Sequence, residues 1–452
     1  MKVSRIALVE AASPLTHVYS RVILPRVGIP TIAAIMTKLG YRTDVFFQSE
    51  RRVTAEELRG YDIVGIGTLT NTAPAAYELA DAVRGSATVV MGGPHPTFMP
   101  EEALAHADYV VLVEGEDTFP ALVRVLESGG DRAGVNGIAY RNGTGEVHKT
   151  PPAARVDYAS LPSPDFTLAR RNGRSGIPPI VVTSRGCPHD CCFCSVTSLY
   201  GRRYRFKSTE QVLSEVRPVV RRSVNVGDDN FCANPARAKT LLREMIARDL
   251  VPKRWSCQCT VGAASDDELL ELMRRTRCRM AYVGIESVRP ETLAAFGKAH
   301  EVEAIAGSIE NFHRHDIGVH GMFVVSMDDP VDTPHQIVDY ALRHDIDTIQ
   351  VFALTPFPGT PSFRQLEGRL LHREWQYFDG MHVVVRPSTC TPYELQVSLI
   401  GALNRFYSLG HALSSYRRRR GWRVKYRLGG HFNMRRLTRE NRGYVERLRR
   451  MG

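Results

Sequence analysis

Ser184-Arg-Gly-Cys-Pro-His-Asp-Cys-Cys-Phe-Cys194 packs four of the chain's nine cysteines into eight positions, and none lies in the first 186 residues. Cys187, Cys191 and Cys194 have the spacing C-x3-C-x2-C. Three thiolates on one short loop can each hold one iron of a four-iron cubane and leave the fourth open to another ligand. Ferredoxin-type clusters close all four irons with cysteine. Zinc is the main rival chemistry, but a structural zinc site takes four ligands, usually in two pairs. The nearest second pair, Cys257-Gln-Cys259, reads as part of a strand. A thioredoxin-like redox loop takes C-x-x-C opening a helix. Cys192 leaves a second spacing formally open, C-x4-C-x-C through Cys187, Cys192 and Cys194.

The chain has 452 residues, 43% of them hydrophobic and 24% charged. At about 100–200 residues per domain, two to four domains are expected. No apolar run reaches the roughly 18 residues of a membrane span, and MKVSRIALVE reads as a first strand rather than a signal peptide. Both point to a cytoplasmic protein. A dense, uneven cysteine cluster is not a secreted disulfide framework. The charge is equally uneven. Residues 417–452 carry 14 Lys and Arg against 2 Asp and Glu, a net of +12, while the whole chain carries +11. The basicity belongs to the tail, which suits an anionic partner and equally suits pairing with acidic groups of its own protein.

Two scaffolds flank the cysteine loop. Over residues 1–135, nearly continuous apolar runs at 5–9, 43–47, 63–67, 87–91 and 109–113 alternate with helical patterns, among them 30–39, 55–58 and 75–83. Such runs suit a parallel sheet covered on both faces. The expected fold is a doubly wound, flavodoxin-like (Rossmann-like) domain with its ligand beyond the carboxyl ends of the strands. Residues 136–176 read as an Asn-Gly hairpin followed by a linker holding several prolines. A second series spans 177–375, with strands expected at 180–183, 224–227, 255–260, 280–285, 319–326 and 348–354. Helical patterns separate them at 210–220, 236–247, 267–274 and 302–312. Six units are too few for a closed barrel of eight and fit an open, partial (β/α)6 TIM-type barrel. Residues 376–452 read as helical and basic.

The cysteine motif, its place after the first strand and the series that follows resemble the radical S-adenosylmethionine (SAM) superfamily. The resemblance implies a 4Fe-4S cluster on Cys187, Cys191 and Cys194. SAM would chelate the open iron and be cleaved to a 5′-deoxyadenosyl radical. Cys192 becomes a bystander and Phe193 packs near the adenine. Gly227-Asp-Asp-Asn-Phe231 ends the second strand, where Asp228 and Asp229 would attract the SAM ammonium; helix capping before Asn234-Pro235 is the alternative. Gly284-Ile-Glu-Ser287 resembles the family's G-x-E-S element beside SAM, which implicates Gly284, Glu286 and Ser287. Gln258, between Cys257 and Cys259, could face the lumen. Thr355-Pro-Phe-Pro-Gly-Thr-Pro361 resembles the family's T-P-x-P-G-T-P turn, stiffened by its prolines. Gly201-Arg-Arg-Tyr-Arg205 is a basic loop suited to a carboxylate or phosphate, or simply to solvent.

The stretches Leu24-Pro-Arg-Val-Gly-Ile-Pro30, Gly65-Ile-Gly-Thr-Leu-Thr70, Met91-Gly-Gly-Pro-His-Pro-Thr97 and Val113-Glu-Gly-Glu-Asp117 resemble the cobalamin-binding domain of one large radical SAM class. Gly92 and Gly93 would let the backbone approach a bulky ligand. Thr68 and Thr70 would offer hydroxyls near the corrin's nucleotide tail, and His95, Thr97, Glu114 and Gly115 complete the set. No D-x-H-x-x-G element is present to supply an axial histidine, so His95 is expected to be a side-chain contact. No G-x-G-x-x-G follows the first strand, which argues against a dinucleotide.

The resemblance thus implies three cofactors, the 4Fe-4S cluster, SAM and cobalamin, with an external flavodoxin- or ferredoxin-type electron donor. Its leading activity is transfer of a methyl group to an unactivated carbon of a small metabolite or lipid, as in hopanoid methylases. One SAM would supply the methyl group by way of the cobalamin and a second would supply the radical. Cyclisation, rearrangement or oxidation without methyl transfer is the alternative, as in anaerobic tetrapyrrole cyclases. No nucleic-acid module is recognised and none is expected as partner. Trp422, Tyr426 and Phe432 within the basic tail would allow peripheral membrane contact.

Overall fold

A computed structural model describes residues 2–16, 24–169, 179–298, 301–417 and 421–451. The chain divides into two compact units: of the described residues, one holds 2–15 and 24–169 together with Arg205–Lys207, and the other holds the rest.

The first unit is built on a seven-stranded sheet. Its strands are β1 (Arg5–Glu10), β2 (Arg42–Phe47), β3 (Ile63–Gly67), β4 (Thr88–Gly92), β5 (Tyr109–Val111), β6 (Ile138–Arg141) and β7 (Val147–Lys149). They lie in the order β2-β1-β3-β4-β5-β6-β7, and β1 to β5 are parallel. This is the flavodoxin-like order, whose chain direction reverses between β1 and β3 and opens a crevice there. Helices Gly28–Lys38, Ala73–Val83 and Gly115–Ser128 cover the sheet. Ile6, Leu8, Ile63, Leu122 and Val123 are all but completely buried, as the continuous apolar runs require. The expected hairpin forms, β6 pairing antiparallel with β7, and it also extends the sheet. Rather than opening a linker, β6 pairs antiparallel with β5 through Tyr109↔Tyr140 and Val111↔Ile138. Burying Ile138, Ala139 and Tyr140 against the sheet edge is what recruits it. The stretch after it packs too, through buried Val156, Tyr158 and Leu161. The remainder of the expected linker, 170–176, lies outside the described residues.

The main sheet of the second unit has six strands, β8 (Ile180–Val181), β9 (Ser223–Val226), β10 (Arg254–Thr260), β11 (Cys278–Glu286), β12 (Gly318–Val325) and β13 (Thr348–Ala353). Each pairs in parallel with its sequence neighbour, giving one six-stranded sheet. Helices Thr209–Val216, Pro235–Ala247, Asp267–Arg275, Val302–Arg314 and Thr333–Arg343 connect them, the partial (β/α)6 arrangement. The helix-facing side of β10 packs Trp255 against Phe231, Leu241, Leu242 and Met245.

Helices Pro392–Phe406, Leu409–Arg417, Gly421–Glu440 and Arg442–Arg450 follow. The helix from Gly421 is not a solvated tail. Arg423 is buried and pairs with Asp345 (2.6 Å) and with the fully buried Asp347. Arg427 donates to the carbonyls of Asp347 and Ile346, both at 2.9 Å. Trp422 lies 4.0 Å from the Arg279 guanidinium, and a Cβ on Gly318 would come within 2.5 Å of its ring. These partners stand at or just before the amino ends of β11, β12 and β13, so this helix closes the bottom of the partial barrel. Among the described residues no helix is long and apolar enough to cross a membrane.

Candidate functional site

The cysteine loop leaves β8 through a short strand, Ser184–Arg185, and is held by side chains of neighbouring elements. Thr183 and Ser184 each give a backbone N–H and a hydroxyl to Asp228 from the loop after β9, at 2.5–3.2 Å. Arg237 closes the other side, donating to the Thr183 hydroxyl (3.1 Å) and carbonyl (2.8 Å). Gly186 adopts φ +89°, and a Cβ there would stand 2.2 Å from the Arg203 carbonyl, so only glycine fits.

Asp228 is 2% exposed and its carboxylate is saturated, so it positions the loop and is not free to meet SAM. Burial raises its pKa against the donors that pull it down. The capping alternative also fails, because Asn234 caps the following helix by accepting from the Arg237 N–H. Asp228→Asn is expected to cost about 1–3 kcal/mol, since the amide turns a donor towards donors and strands one buried N–H; a lowered thermal midpoint checks it. Asp229 is half-buried, accepts from the Gly186 N–H at 3.0 Å and lies within electrostatic reach of Cys187 and Cys194.

Cys191 is buried and within electrostatic reach of both Cys187 and Cys194. Burial pushes the Cys187 thiol up and takes Cys194 to about 11. These sulfurs are therefore protonated near neutral pH, and binding metal there releases protons. The Cys192 thiol points instead to the Ala295 carbonyl (3.6 Å), while its own carbonyl accepts from Ser362 (3.1 Å). Ser362 follows the proline-rich turn, whose Thr360 caps helix Pro361–Leu366; the turn thus braces the loop. Phe193 meets Phe296 edge-on at 5.0 Å. Cys232, Cys257, Cys259 and Cys278 are all buried away from this loop.

Glu286 ends β11 at φ +68°, beside a register irregularity between Gly284 and Glu286. A non-glycine residue held there costs about 1–3 kcal/mol. The backbone turn brings the carboxylate back over Gly284, where a Cβ would come within 2.7 Å of it. It pairs with Lys298 at 2.8 Å, both side chains 11% exposed. Lys298 also lies within electrostatic reach of Cys191. Burial works against its charge, yet Glu286 and Cys191 outweigh burial and raise its pKa. The sequence carried no signal for Lys298, a lone lysine after a short helix. Ser287 is fully buried and accepts from the Arg289 N–H, a turn contact.

Gln258 is exposed on the face of β10 opposite Trp255, Cys257 and Cys259. Strand register sets it in one row with Tyr282, His320 and Thr348. The His320 ring touches Thr348 Oγ1 (2.8 Å) and Gln350 Oε1 (3.3 Å), and burial pushes its pKa down to about 4. The lumen row is polar and uncharged at neutral pH.

In the first unit, the β3 and β4 ends meet at Gly93. Its φ is +102°, and a Cβ would stand 2.5 Å from the Thr68 carbonyl. Gly92 has ordinary room, with nothing nearer than 3.7 Å. Among the described residues the buried Thr68 hydroxyl has no hydrogen-bond partner, and Thr70 is buried where a short turn begins. Thr97 commits its hydroxyl to the Gly93 carbonyl and the Val113 N–H, which holds Val113 at φ +66°. Gly115 leads into the last helix beside Ile32. Two expected contacts are otherwise engaged. The His95 side chain has no exposed surface and pairs with Glu102 at 3.4 Å. Glu114 is clasped by both Arg205 guanidinium nitrogens, at 2.7 and 3.0 Å. That is where one arginine of the basic loop goes.

Comparison with known proteins bears on this pair of sites. Residues 181–342 match the radical SAM superfamily model and residues 18–123 match the B12 binding domain. The bacteriochlorophyllide d C-12(1)-methyltransferase of Chlorobaculum tepidum is 28% identical over 76% of this chain and 75% of its own. The anaerobic magnesium-protoporphyrin IX monomethyl ester cyclase of Cereibacter sphaeroides is 27% identical over 90% of this chain and 70% of its own. The structure of the radical SAM methyltransferase TsrM from Kitasatospora setae shares the fold, with TM-score 0.67 at 20% identity, covering 81% of this chain and 75% of TsrM. A radical SAM domain works with a 4Fe-4S cluster and SAM, and a B12 binding domain with cobalamin. The chain carries both domains and belongs to the cobalamin-binding radical SAM enzymes.

Proposed function

We propose that the protein transfers a methyl group to a carbon of a small molecule, with Cys187, Cys191 and Cys194 holding the 4Fe-4S cluster. The likeness to the Chlorobaculum methyltransferase over three quarters of both chains carries this reading. The chemistry of the donor set supports the cluster, although among the described residues the thiols are not gathered into a ready-made metal-holding group. Three thiols share one loop, all within reach of Cys191, and the neighbouring Glu286–Lys298 pair leaves a mixed-charge edge. When bound, the cofactors supply a carbon radical and a transferable methyl group.

The chain's own residues hold and shield. Asp229 attracts the SAM ammonium, Phe193 packs near the adenine, and Gly284 and Glu286 border the same end of the barrel. Gln258, Tyr282 and His320 offer hydrogen bonds, without charge, to the substrate. An external flavodoxin- or ferredoxin-type protein delivers electrons.

In the first unit, the unpartnered Thr68 hydroxyl and the glycine-only conformation at Gly93 fit a ligand lying close against the backbone, which we assign to cobalamin, with Thr70, Gly92 and Gly115 nearby. Gly93→Ala forces Thr68 to move and costs about 1–3 kcal/mol. The corrinoid retained by the full chain after gel filtration, read by its visible absorbance, is expected to fall about tenfold or more.

The cyclase relative spans more of the chain, so ring formation or oxidation is the second reading. Methyl-deuterated SAM separates the two. Reconstituted protein, reductant and a small-molecule extract of expressing cells should yield a product three deuterons heavier than its unlabelled counterpart. Deoxyadenosine without transferred label overturns methyl transfer.

A further inference from the structure

Residues 295–298 are seated on the cysteine loop. The Cys192 thiol meets the Ala295 carbonyl at 3.6 Å, Phe193 meets Phe296 at 5.0 Å, and a Cβ on Gly297 would stand 3.4 Å from the Asp190 carbonyl. Gly297 has φ +70°, a turn that brings the next residue, Lys298, back to Cys191 and Glu286. Lys298 is nearly buried and its ammonium is 2.8 Å from the Glu286 carboxylate. Glu286 in turn is held at φ +68° with its carboxylate folded over Gly284. Two left-handed turns thus converge to place an ion pair whose cation lies within electrostatic reach of a single cysteine, Cys191.

We infer that Lys298 and Glu286 form an opposed pair that sets how readily the cluster on this loop accepts its electron. The inference rests on the cysteine assignment proposed above. Reduction adds one negative charge to the cluster, and no bond to the protein is made or broken. Positive charge close by, and an N–H donated to a ligand sulfur, favour the reduced state, because potentials follow net charge and hydrogen bonds to sulfur. Glu286 acts in the opposite sense, drawing the ammonium towards itself and cancelling part of its field. Burial keeps water from screening either charge. The pair differs from Asp229, whose carboxylate accepts from the Gly186 N–H and feels the Arg185 cation only electrostatically.

Full-length protein, reconstituted anaerobically and assayed for iron and sulfide, is titrated with dithionite without SAM, and the reduced cluster is followed by electron paramagnetic resonance. At the wild-type midpoint, Lys298→Met is expected to lower the reduced-to-oxidised ratio at least tenfold, which is 59 mV for one electron. Lys298→Arg keeps the charge and stays within threefold of wild type. Glu286→Gln shifts the ratio the other way, upward by at least threefold. Opposite signs are the signature that a merely loosened loop does not produce. Ratios within twofold of wild type for both Lys298→Met and Glu286→Gln, or shifts of the same sign, overturn the inference. If Lys298→Met does not hold four irons, Glu286→Gln decides alone: an upward shift supports the pair, and no shift or a downward one overturns it. A wild-type protein that fails to assemble four irons overturns the cysteine assignment instead.

Discussion

Alanine at Cys194 is expected to abolish the four-iron cluster, whereas alanine at Cys192 leaves it in place. The two residues are separated only by Phe193, and spacing alone admits either Cys191 or Cys192 as the middle ligand. Their surroundings differ. Cys191 is within reach of Cys187, Cys194 and Lys298, while the Cys192 thiol is turned to the Ala295 carbonyl. A cubane with three protein ligands keeps one iron for an outside ligand, and removing one of the three leaves two open irons and a labile cluster. Cys187→Ala, Cys191→Ala and Cys194→Ala should each lose the broad visible absorbance near 400 nm (about that wavelength for sulfur-to-iron charge transfer). Deoxyadenosine formation should fall about a thousandfold, equivalent to about 4 kcal/mol in the barrier. Cys192→Ala should retain four irons per chain and most of the SAM cleavage. Loss of the cluster in Cys192→Ala but not in Cys191→Ala would move the middle ligand.

The second large effect is on stability, far from any cofactor. Arg423→Met removes the cation that faces Asp347, a carboxylate with no exposed surface. Asp347 keeps its contacts to His313 (2.9 Å) and the Val319 N–H (2.8 Å) but loses its charge partner. Removing one member of a buried pair costs about 3–5 kcal/mol. For a unit of this size the thermal midpoint should fall by about 10 °C. Arg423→Lys recovers only part, because one ammonium cannot address both Asp345 and Asp347 as the planar fork does. Arg436→Ala, which removes an exposed pair with Glu440 one helical turn away, should stay within about 0.5 kcal/mol. Limited proteolysis that releases the carboxyl-terminal helices from Arg423→Met but not from Arg436→Ala would confirm that the buried arginine anchors them. Equal midpoints for all three would mean that the helix is held by its apolar contacts alone.

Much of this was legible in the chain. Apolar runs such as Ile63–Gly67 and Tyr109–Val111 are continuous because both faces of a parallel sheet are covered, and their alternation with helices sets the fold class. The cysteine motif needs only local spacing, so it too can be read without coordinates. Asp228 was a different case. Its type and its place at the end of β9 suggested a SAM contact, yet four donors from Thr183 and Ser184 consume its carboxylate, and those partners lie 44 and 45 residues away. Glu114 is likewise engaged by a partner far along the chain, Arg205, while the partner of His95, Glu102, is only seven residues away.

The basic tail shows the limit most plainly. Composition established that the charge is there but not where it points. Arg423 and Arg427 are buried under β12 and β13 because Asp345, Asp347 and the carbonyl of Ile346 end loops that only the folded sheet brings together. Lys298 is the counterpart at the other end of the barrel. The sequence determined by itself the two domains, the order of their strands' appearance and the loop on which the cysteines cluster, because periodicity and spacing are local properties of a chain. The tertiary structure decided which charges meet, because an ion pair is set by distance in space and the residues concerned are far apart along the chain.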